Sequence, residues 1–166
     1  MQNDRRSIRL KNHDYTQSGM YFVTICVKHK LNLFGKIKNG QMILNKFGEI
    51  AQFEWLKTHK IRKNISIDKY IIMPDHIHGI LIVNNDSRGM VHRPPTHECF
   101  GKSVPNSIPT IIRYYKAGVT RRINLLRNRP GNKIWQRNYY ERIIRNKNEY
   151  YAIRQYIIDN PKKWRQ

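Results

Sequence analysis

Acidic residues and cysteines are both scarce in this chain. Of its 166 residues, 11 are Asp or Glu, against 32 Lys and Arg, and the formal net charge is +21. Such an excess predicts attraction to polyanions such as nucleic acid, because binding releases counterions. The two cysteines, Cys26 and Cys99, form no Cys-x-x-Cys zinc motif. We therefore expect two free thiols in a reducing cytoplasm.

Long apolar runs are also absent. No stretch approaches the roughly 20 residues of a membrane span, and residues 1–6 lack the apolar core of a signal peptide. We find no membrane-surface helix with a clean apolar face. These absences predict no membrane partner, and together with the basic charge they predict a cytoplasmic, nucleoid-associated protein.

Hydrophobic patterning predicts the elements of a single domain. We expect strands at 21–27, 65–73 and 76–83, a hairpin around Asn39-Gly40, and helices at 46–58, 108–127 and 147–159. Residues 1–14 read as a basic arm, 15–166 as one domain, and about 84–106 as a flexible loop with turn-forming residues. This order suits an α+β fold with helices packed on one face of an antiparallel sheet and a basic C-terminal helical extension.

The most informative motif is His76-Ile77-His78, at the start of the 76–83 strand. Side chains alternate faces along a strand, so the two histidines share a face at about 6.5–7 Å spacing and can reach one divalent ion. In a basic chain this pair suggests metal-assisted chemistry on a nucleic-acid phosphate, with Mg²⁺ or Mn²⁺ as the ion. The same spacing also arises by chance, and the histidines would then be ordinary hydrogen-bonded residues.

A tyrosine is the candidate nucleophile, because tyrosine can form a covalent phosphotyrosine. The 108–127 helix carries two adjacent ones, Tyr114 and Tyr115. Tyr115 lies on the apolar stripe expected to face the sheet, and Tyr114 lies about 100° further round the helix. If this helix packs on the histidine face, Tyr115 reaches the ion. The alternative is core packing, the usual role of an aromatic on an apolar stripe.

Residues 113–145 form a candidate DNA track. The segment holds ten Lys or Arg and a single acid, Glu141, whereas a solvated face usually mixes signs. Its aromatic rings could stack on unpaired bases. The candidate DNA-binding residues are Arg113, Lys116, Arg121, Arg122, Trp135, Arg137, Tyr139 and Tyr140.

Four separate blocks resemble the REP-associated tyrosine transposases, a branch of the IS200-like, single-tyrosine HUH transposases. The blocks are Met-Pro-Asp-His-Ile-His-Gly at 73–79, together with 115–124, 135–141 and 157–161, and the resemblance covers about residues 6–165. It implies a ferredoxin-like sheet, a divalent metal on His76 and His78, and Tyr115, or else Tyr114, as nucleophile. Single-stranded or hairpin DNA would be cut through a 5′-phosphotyrosine and rejoined, as in DNA transposition. The resemblance also implies a homodimer as one form of assembly.

One position departs from the family pattern. Related transposases often carry a polar metal ligand one helical turn after the tyrosine, but Val119 follows Tyr115 and Gly118 follows Tyr114 at that distance. The third metal ligand is therefore unassigned. Two alternatives stay open: a non-catalytic RRM-like sheet that binds DNA or RNA hairpins, and a metal-dependent hydrolase that uses water. An RRM would display aromatics on its central strands, and a hydrolase would need a carboxylate cluster near the histidines.

Overall fold

The structure, a computed structural model, describes residues 18–84 and 104–164. The predicted arm at 1–14, Cys99 and most of the predicted loop at about 84–106 lie outside this part of the chain. In chain order the elements are β1 (Gly19–Cys26), β2 (Gly35–Lys38), β3 (Gln41–Leu44), α1 (Lys46–Ile61), β4 (Ile65–Ile72), β5 (His76–Val83), α2 (Ile108–Leu126), β6 (Tyr140–Ile144) and α3 (Lys147–Asp159). Short 3₁₀ turns lie at Lys28–Lys30 and Asn160–Lys163.

Four strands form one antiparallel sheet in the spatial order β4-β5-β1-β6. With the β2–β3 hairpin set aside as an insertion, the main chain follows a βαββαβ order. The hairpin turns at Asn39 and Gly40, both with positive φ (52° and 69°), as the Asn-Gly pair predicts. The α+β class, the hairpin and the positions of all three predicted helices are thus confirmed.

Asparagine and serine side chains fix where the helices begin. The Asn45 side chain accepts hydrogen bonds from the first amides of α1, and Ser107 and Asn146 do the same for α2 and α3. These caps satisfy amides that have no partner within the helix. Within the described residues, no helix is both long enough and apolar enough to span a bilayer.

The sheet buries both of its faces. On one face, Ile77 and Leu81 of β5 pack with Trp55 of α1 and Tyr115 of α2. On the other face, Ile80 packs with two residues of α3, which are Ile153 and Ile157. The structure is therefore a three-layer arrangement of α1 and α2, then the sheet, then α3.

The expectation that all helices pack on one face is wrong, and the condition under which Tyr115 would reach the ion, packing of α2 on the histidine face, is not met. The reason is the alternation along β5. Ile77, Leu81 and Val83 give one face a continuous apolar row, whereas the other face begins with two imidazoles. The long apolar stripe of α2 buries more apolar surface on the first face. The shorter and more polar α3 takes the second.

Candidate functional site

Strand β5 places His76 and His78 on the same face, with ring centroids 4.5 Å apart. In the neighbouring strand β1, Thr24 lies opposite His78 and Cys26 lies opposite His76. Directly opposite residues of an antiparallel pair point to the same side of the sheet. We call the patch formed by His76, His78 and Thr24 the histidine patch. Cys26, beside it, is a free thiol whose pKa is raised by burial and then by Asp75.

Both imidazoles have their Nδ1 atom held by a neighbour. Asp75 Oδ1 lies 2.5 Å from Nδ1 of His76, and Thr24 Oγ1 lies 2.8 Å from Nδ1 of His78. An ionised carboxylate can only accept, so it places the proton of His76 on Nδ1 and leaves the Nε2 lone pair for a metal. The Thr24 hydroxyl selects the same tautomer of His78 when it accepts.

His78 is held in its neutral form. Its residue is 5% exposed, and the Phe22 ring stacks on it at 5.3 Å. Burial, followed by the nearby His76, lowers the pKa of His78 to about 3. Neutral imidazole is the form that binds metal ions, so this environment favours ligation over protonation.

Helix α3 brings a tyrosine to these imidazoles. Tyr156 Oη lies 3.3 Å from Nε2 of His78, and the two ring centroids are 5.2 Å apart. The side chain remains 45% exposed, so the phenol is accessible to solvent and to a substrate. The structure therefore unites two imidazoles and one accessible phenol.

The position of α3 depends on one acidic residue of β4 and on its own apolar side. Ile153 and Ile157 are buried against the sheet. Asp68 accepts a hydrogen bond from Tyr150 Oη at 2.9 Å and pairs with Nε of Arg154 at 3.5 Å. A register shift in β4 flanks Asp68, between residues 67 and 70. These contacts hold the next turn of the helix, with Tyr156, over His78.

The chain after Tyr156 continues along the histidine patch. Asn160 follows Tyr156 by one helical turn and is buried at 9% exposure. Further on, the Trp164 ring lies 5.8 Å from the ring of His76. Asn160 thus falls between two residues that contact the histidines, and its amide oxygen is a suitable ligand for a hard divalent ion.

A carboxylate cluster does not form here. In residues 18–84 and 104–164, no three His, Cys, Asp or Glu side chains are grouped so that they could hold an ion. The metal-binding donors of the patch are the two imidazoles, and the buried Asn160 lies in the segment between Tyr156 and Trp164, both of which contact them. This set lacks the carboxylates that a water-activating hydrolase usually uses.

Tyr115 lies on the opposite side of the sheet from the histidines. It is 3% exposed, its Oη donates to the Ala51 carbonyl oxygen at 3.1 Å, and Trp55 packs edge-on to its ring at 5.2 Å. Burial, followed by Glu54, raises its pKa well above the ordinary value for tyrosine. Tyr114 is 57% exposed, on the outer side of α2. The structure brings neither tyrosine to the histidine patch.

Three of the predicted DNA-binding residues make contacts within the fold. Lys116 Nζ donates to two backbone carbonyls of the segment before β6, at 2.8 and 3.0 Å, and burial lowers its pKa to about 8. Trp135 is 9% exposed and donates its indole N–H to the Lys116 carbonyl. Arg122 pairs with the buried Glu54 at 2.5 Å. The buried Trp135 ring is not displayed for base stacking.

The other predicted contacts lie nearer the surface. Tyr139 is half-buried, with its Oη 2.8 Å from Glu141 Oε2. Tyr140 is 57% exposed and lies opposite Thr24, which places it beside the histidine patch. The remaining exposed members of the set are Arg113, Arg121 and Arg137.

Sequence reasoning missed Tyr156 and Asn160. The usable signal was their spacing of four residues, which places a polar side chain one helical turn after a tyrosine. At Tyr115 the same position holds Val119, which left the third metal ligand unassigned. Tyr156 directly precedes one of the four blocks that carry the family resemblance, and Asn160 lies within that block.

Comparison with known proteins finds relatives over nearly the whole chain. No protein-family model matches it. An uncharacterized protein of Haemophilus influenzae is 40% identical over 165 residues, covering 98% of this chain and 91% of that protein. The structure of a REP-associated tyrosine transposase bound to a REP hairpin matches with a TM-score of 0.58 and 20% identity, over 94% of this chain and 74% of that one. A provisionally assigned transposase from Deinococcus radiodurans is more distant, with a TM-score of 0.47 and 14% identity over 92% and 98% of the two chains.

Proposed function

We propose that this chain, which belongs to one family with the Haemophilus influenzae protein and shares the fold of the REP-associated tyrosine transposase, cleaves and rejoins single-stranded or hairpin DNA at its histidine patch. The observation that carries the proposal is the 3.3 Å contact between Tyr156 Oη and His78 Nε2. It joins a nucleophile and a metal-binding pair in one accessible place. The reaction is the strand cleavage and transfer of DNA transposition.

A divalent ion, Mg²⁺ or Mn²⁺, is the cofactor of this proposal. His76 and His78 would hold it through Nε2, with Tyr156 Oη moving off the His78 Nε2 lone pair that it contacts in the absence of the ion, and Asn160 would be the third protein ligand. When bound, the ion polarises a phosphoryl oxygen of the substrate. Asp75 and Thr24 contribute by fixing the imidazole rings and their tautomers from the Nδ1 side.

Tyr156 supplies the nucleophile. Its Oη forms a bond to the phosphorus while the bond from phosphorus to the 3′ oxygen breaks. The phenol releases its proton to solvent, and the 3′ oxygen takes up a proton to leave as a free hydroxyl. The ordinary pKa of tyrosine is about 10, so at neutral pH the phenol carries its proton until it attacks. The exposure of Tyr156 allows water to accept that proton. The 5′-phosphotyrosine keeps the bond energy, and a second 3′ hydroxyl can attack it to rejoin a strand.

A pair of tyrosine variants tests this assignment. Hairpin DNA labelled at its 3′ end is incubated with the protein and Mn²⁺, and covalent adducts are resolved on a denaturing gel. The wild-type protein and Tyr115→Phe should both retain the label. Tyr156→Phe, which removes one oxygen from a partly exposed ring, should retain none. A 5′ label should leave with the free fragment in every case.

Other outcomes identify the alternatives. Adduct formation that survives in Tyr156→Phe but disappears in Tyr115→Phe would return the nucleophile to α2 and require a large rearrangement. Disappearance in Tyr114→Phe alone would point to the outer face of that helix. If the wild-type protein binds hairpins tightly and never forms an adduct, the non-catalytic binding protein is correct.

A further inference from the structure

The register of the sheet extends the histidine patch to the edge strand β6. Thr24 of β1 lies opposite His78 of β5 on one side and opposite Tyr140 of β6 on the other. Directly opposite residues point to the same face, so these three side chains form a row across the α3 face. We call them the cross-strand row. Neighbouring strands lie about 4.8 Å apart, so the row spans roughly 10 Å from β5 to β6.

The cross-strand row is open at its β6 end. Along β5, the face is covered on both sides of the row, because the Trp164 ring lies 5.8 Å from the ring of His76 and α3 packs over Ile80. Across the sheet, Thr24 is only partly buried and Tyr140 is 57% exposed. In the described part of the chain, a DNA strand held at the histidine patch therefore has its clearest path towards β6.

Tyr140 also has an uncovered ring. The exposed tyrosines of the described chain are Tyr114, Tyr140, Tyr151 and Tyr156. Two guanidinium groups lie over Tyr114, and the Tyr150 ring packs on Tyr151. The Tyr156 ring packs on His78. Among the described residues, no ring or guanidinium group packs on Tyr140. A bare, exposed ring is suited to stacking with an unpaired base.

The attack by Tyr156 decides which nucleotide is directed towards β6. In a displacement at phosphorus, the attacking and leaving oxygens are roughly in line. The leaving oxygen is the 3′ oxygen of the nucleotide on the 5′ side of the cut, so this nucleotide lies on the far side of the phosphorus from Tyr156 Oη. That Oη contacts His78, at the β5 end of the cross-strand row. The far side along the row is therefore the β6 end, which carries Tyr140.

We propose that Tyr140 stacks on the base immediately 5′ of the scissile phosphate and thereby sets which phosphate of the unpaired DNA reaches Tyr156. The proposal rests on the proposed function and adds a residue that positions the substrate. The stacked base and the attacked phosphate belong to the same nucleotide step, so holding the base places the phosphate. Every base has a π face, so this contact tolerates any base at that position.

A cycle of protein and DNA changes tests the contact. The cut position is mapped with the wild-type protein, and hairpin DNA is then made with an abasic site directly 5′ of that phosphate. For the wild-type protein at subsaturating DNA, the abasic site should slow adduct formation by about 5- to 150-fold, the usual effect of losing a stacked base. Tyr140→Val removes the ring but keeps a residue that favours strands. It should show the same loss with intact DNA and no further loss with the abasic site.

Matched controls use the same assay. Tyr140→Phe keeps the ring and should behave as wild type on every substrate. Tyr151→Ala removes a ring of similar exposure, 61%, that lies on α3 outside the cross-strand row, and it should also behave as wild type. An abasic site directly 3′ of the cut should change the rates of the wild-type protein and of Tyr140→Val by the same factor.

Two results of this cycle would overturn the proposal. Additive losses from Tyr140→Val and the 5′ abasic site would mean that the ring and this base do not meet. Coupling of Tyr140→Val to the 3′ abasic site instead would mean that the DNA strand crosses the row in the opposite direction.

Fluorescence separates the stacking contact from the chemistry. 2-Aminopurine, a base analogue whose fluorescence is quenched by stacking, replaces the unpaired bases of the hairpin one at a time. Binding is followed with Tyr156→Phe, so that no DNA is cut. Quenching at one position that disappears when Tyr140→Val is combined with Tyr156→Phe supports the contact. If this holds while the wild-type protein forms no adduct, the proposed function fails and the stacking contact stands. If Tyr140→Val changes the quenching at no position, Tyr140 does not stack on the DNA and the proposal is wrong.

Discussion

The two faces of the sheet give tyrosine opposite environments. On the α1–α2 face, Tyr115 is buried, and its hydroxyl is satisfied by a backbone carbonyl. On the α3 face, Tyr156 is nearly half exposed, and its hydroxyl meets the imidazole of His78. Burial, followed by Glu54, raises the pKa of Tyr115, so the first environment opposes its phenolate. The difference shows that the same residue type can be a buried packing residue on one face of a sheet and an accessible polar group on the other.

The two faces also differ in where they contain polar groups. The α1–α2 face is continuous apolar packing around Trp55 and Ile77, both fully buried. The α3 face has a smaller apolar cluster at one end and the histidine patch at the other. We expect substitutions on the first face to change stability and substitutions at the patch to change chemistry.

The strongest test removes the imidazoles. His78→Ala and His76→Ala should each reduce adduct formation to background, because no other imidazole of the described chain replaces them on that strand. Affinity for hairpin DNA, measured without added metal, should stay near the wild-type value. Adduct formation at the wild-type rate in both variants would contradict this difference between the faces, because the histidines of the α3 face would then have no role in cleavage.

A glycine beside His78 tests the packed face. A Cβ at Gly79 would lie 2.3 Å from Cζ2 of the buried Trp55, so Gly79→Ala should lower the free energy of unfolding by about 1–3 kcal/mol through overpacking. Gly19→Ala is the matched control, because its nearest contact would be an ordinary 3.5 Å from Tyr21. We expect that control to stay within about 0.5 kcal/mol of wild type in urea denaturation. Equal stability of both variants would mean that the packed face is looser than its contacts indicate.

Thr24 provides a finer test at the histidine patch. Thr24→Val removes the hydroxyl that lies 2.8 Å from Nδ1 of His78 and should weaken Mn²⁺ binding by about 10–100-fold, the usual effect of losing an outer-shell partner. Thr24→Ser keeps the hydroxyl and should bind nearly normally. Calorimetric titration without DNA separates metal affinity from chemistry. Identical affinities in Val and Ser variants would show that Thr24 does not orient the ring.

The smallest effect at neutral pH comes from the buried imidazole itself. The pKa of His78 is about 3 in the folded protein, against an ordinary value of 6.5. The unfolded chain therefore binds the extra proton between these values, so this residue's contribution is complete above pH 6.5 and is lost as the pH falls towards 3. The metal-free protein should lose stability over that window, and His78→Gln should lose less. Parallel pH profiles for the two proteins would contradict a neutral buried His78.

Local patterns were sufficient for most of the secondary structure. Asn39-Gly40 specified its hairpin turn, and the helix predicted at 147–159 has the bounds of α3. Strand β6 was not predicted, because Tyr140–Ile144 is short, mixes charged and apolar residues and has no β-specific pattern of its own. It becomes a strand through pairing with β1, a contact distant in sequence.

The site was predictable only in part. Alternation along a strand was enough to place His76 and His78 together. The partner helix was not predictable in the same way, since periodicity shows that a helix has an apolar side but not which face of the sheet it covers. That choice depends on a competition between α2 and α3 for the more apolar face, which is decided by the whole fold.

The hydrogen bonds of the histidine patch join residues far apart in the chain. Thr24 and His78 are separated by 54 residues, and His78 and Tyr156 by 78. Such long-range contacts close large loops and are slow to form during folding. A nascent or C-terminally truncated chain that ends before α3 can present the imidazoles but not the Tyr156 phenol. The contact between His78 and Tyr156 can therefore form only after the last helix has been synthesised and has docked on the sheet.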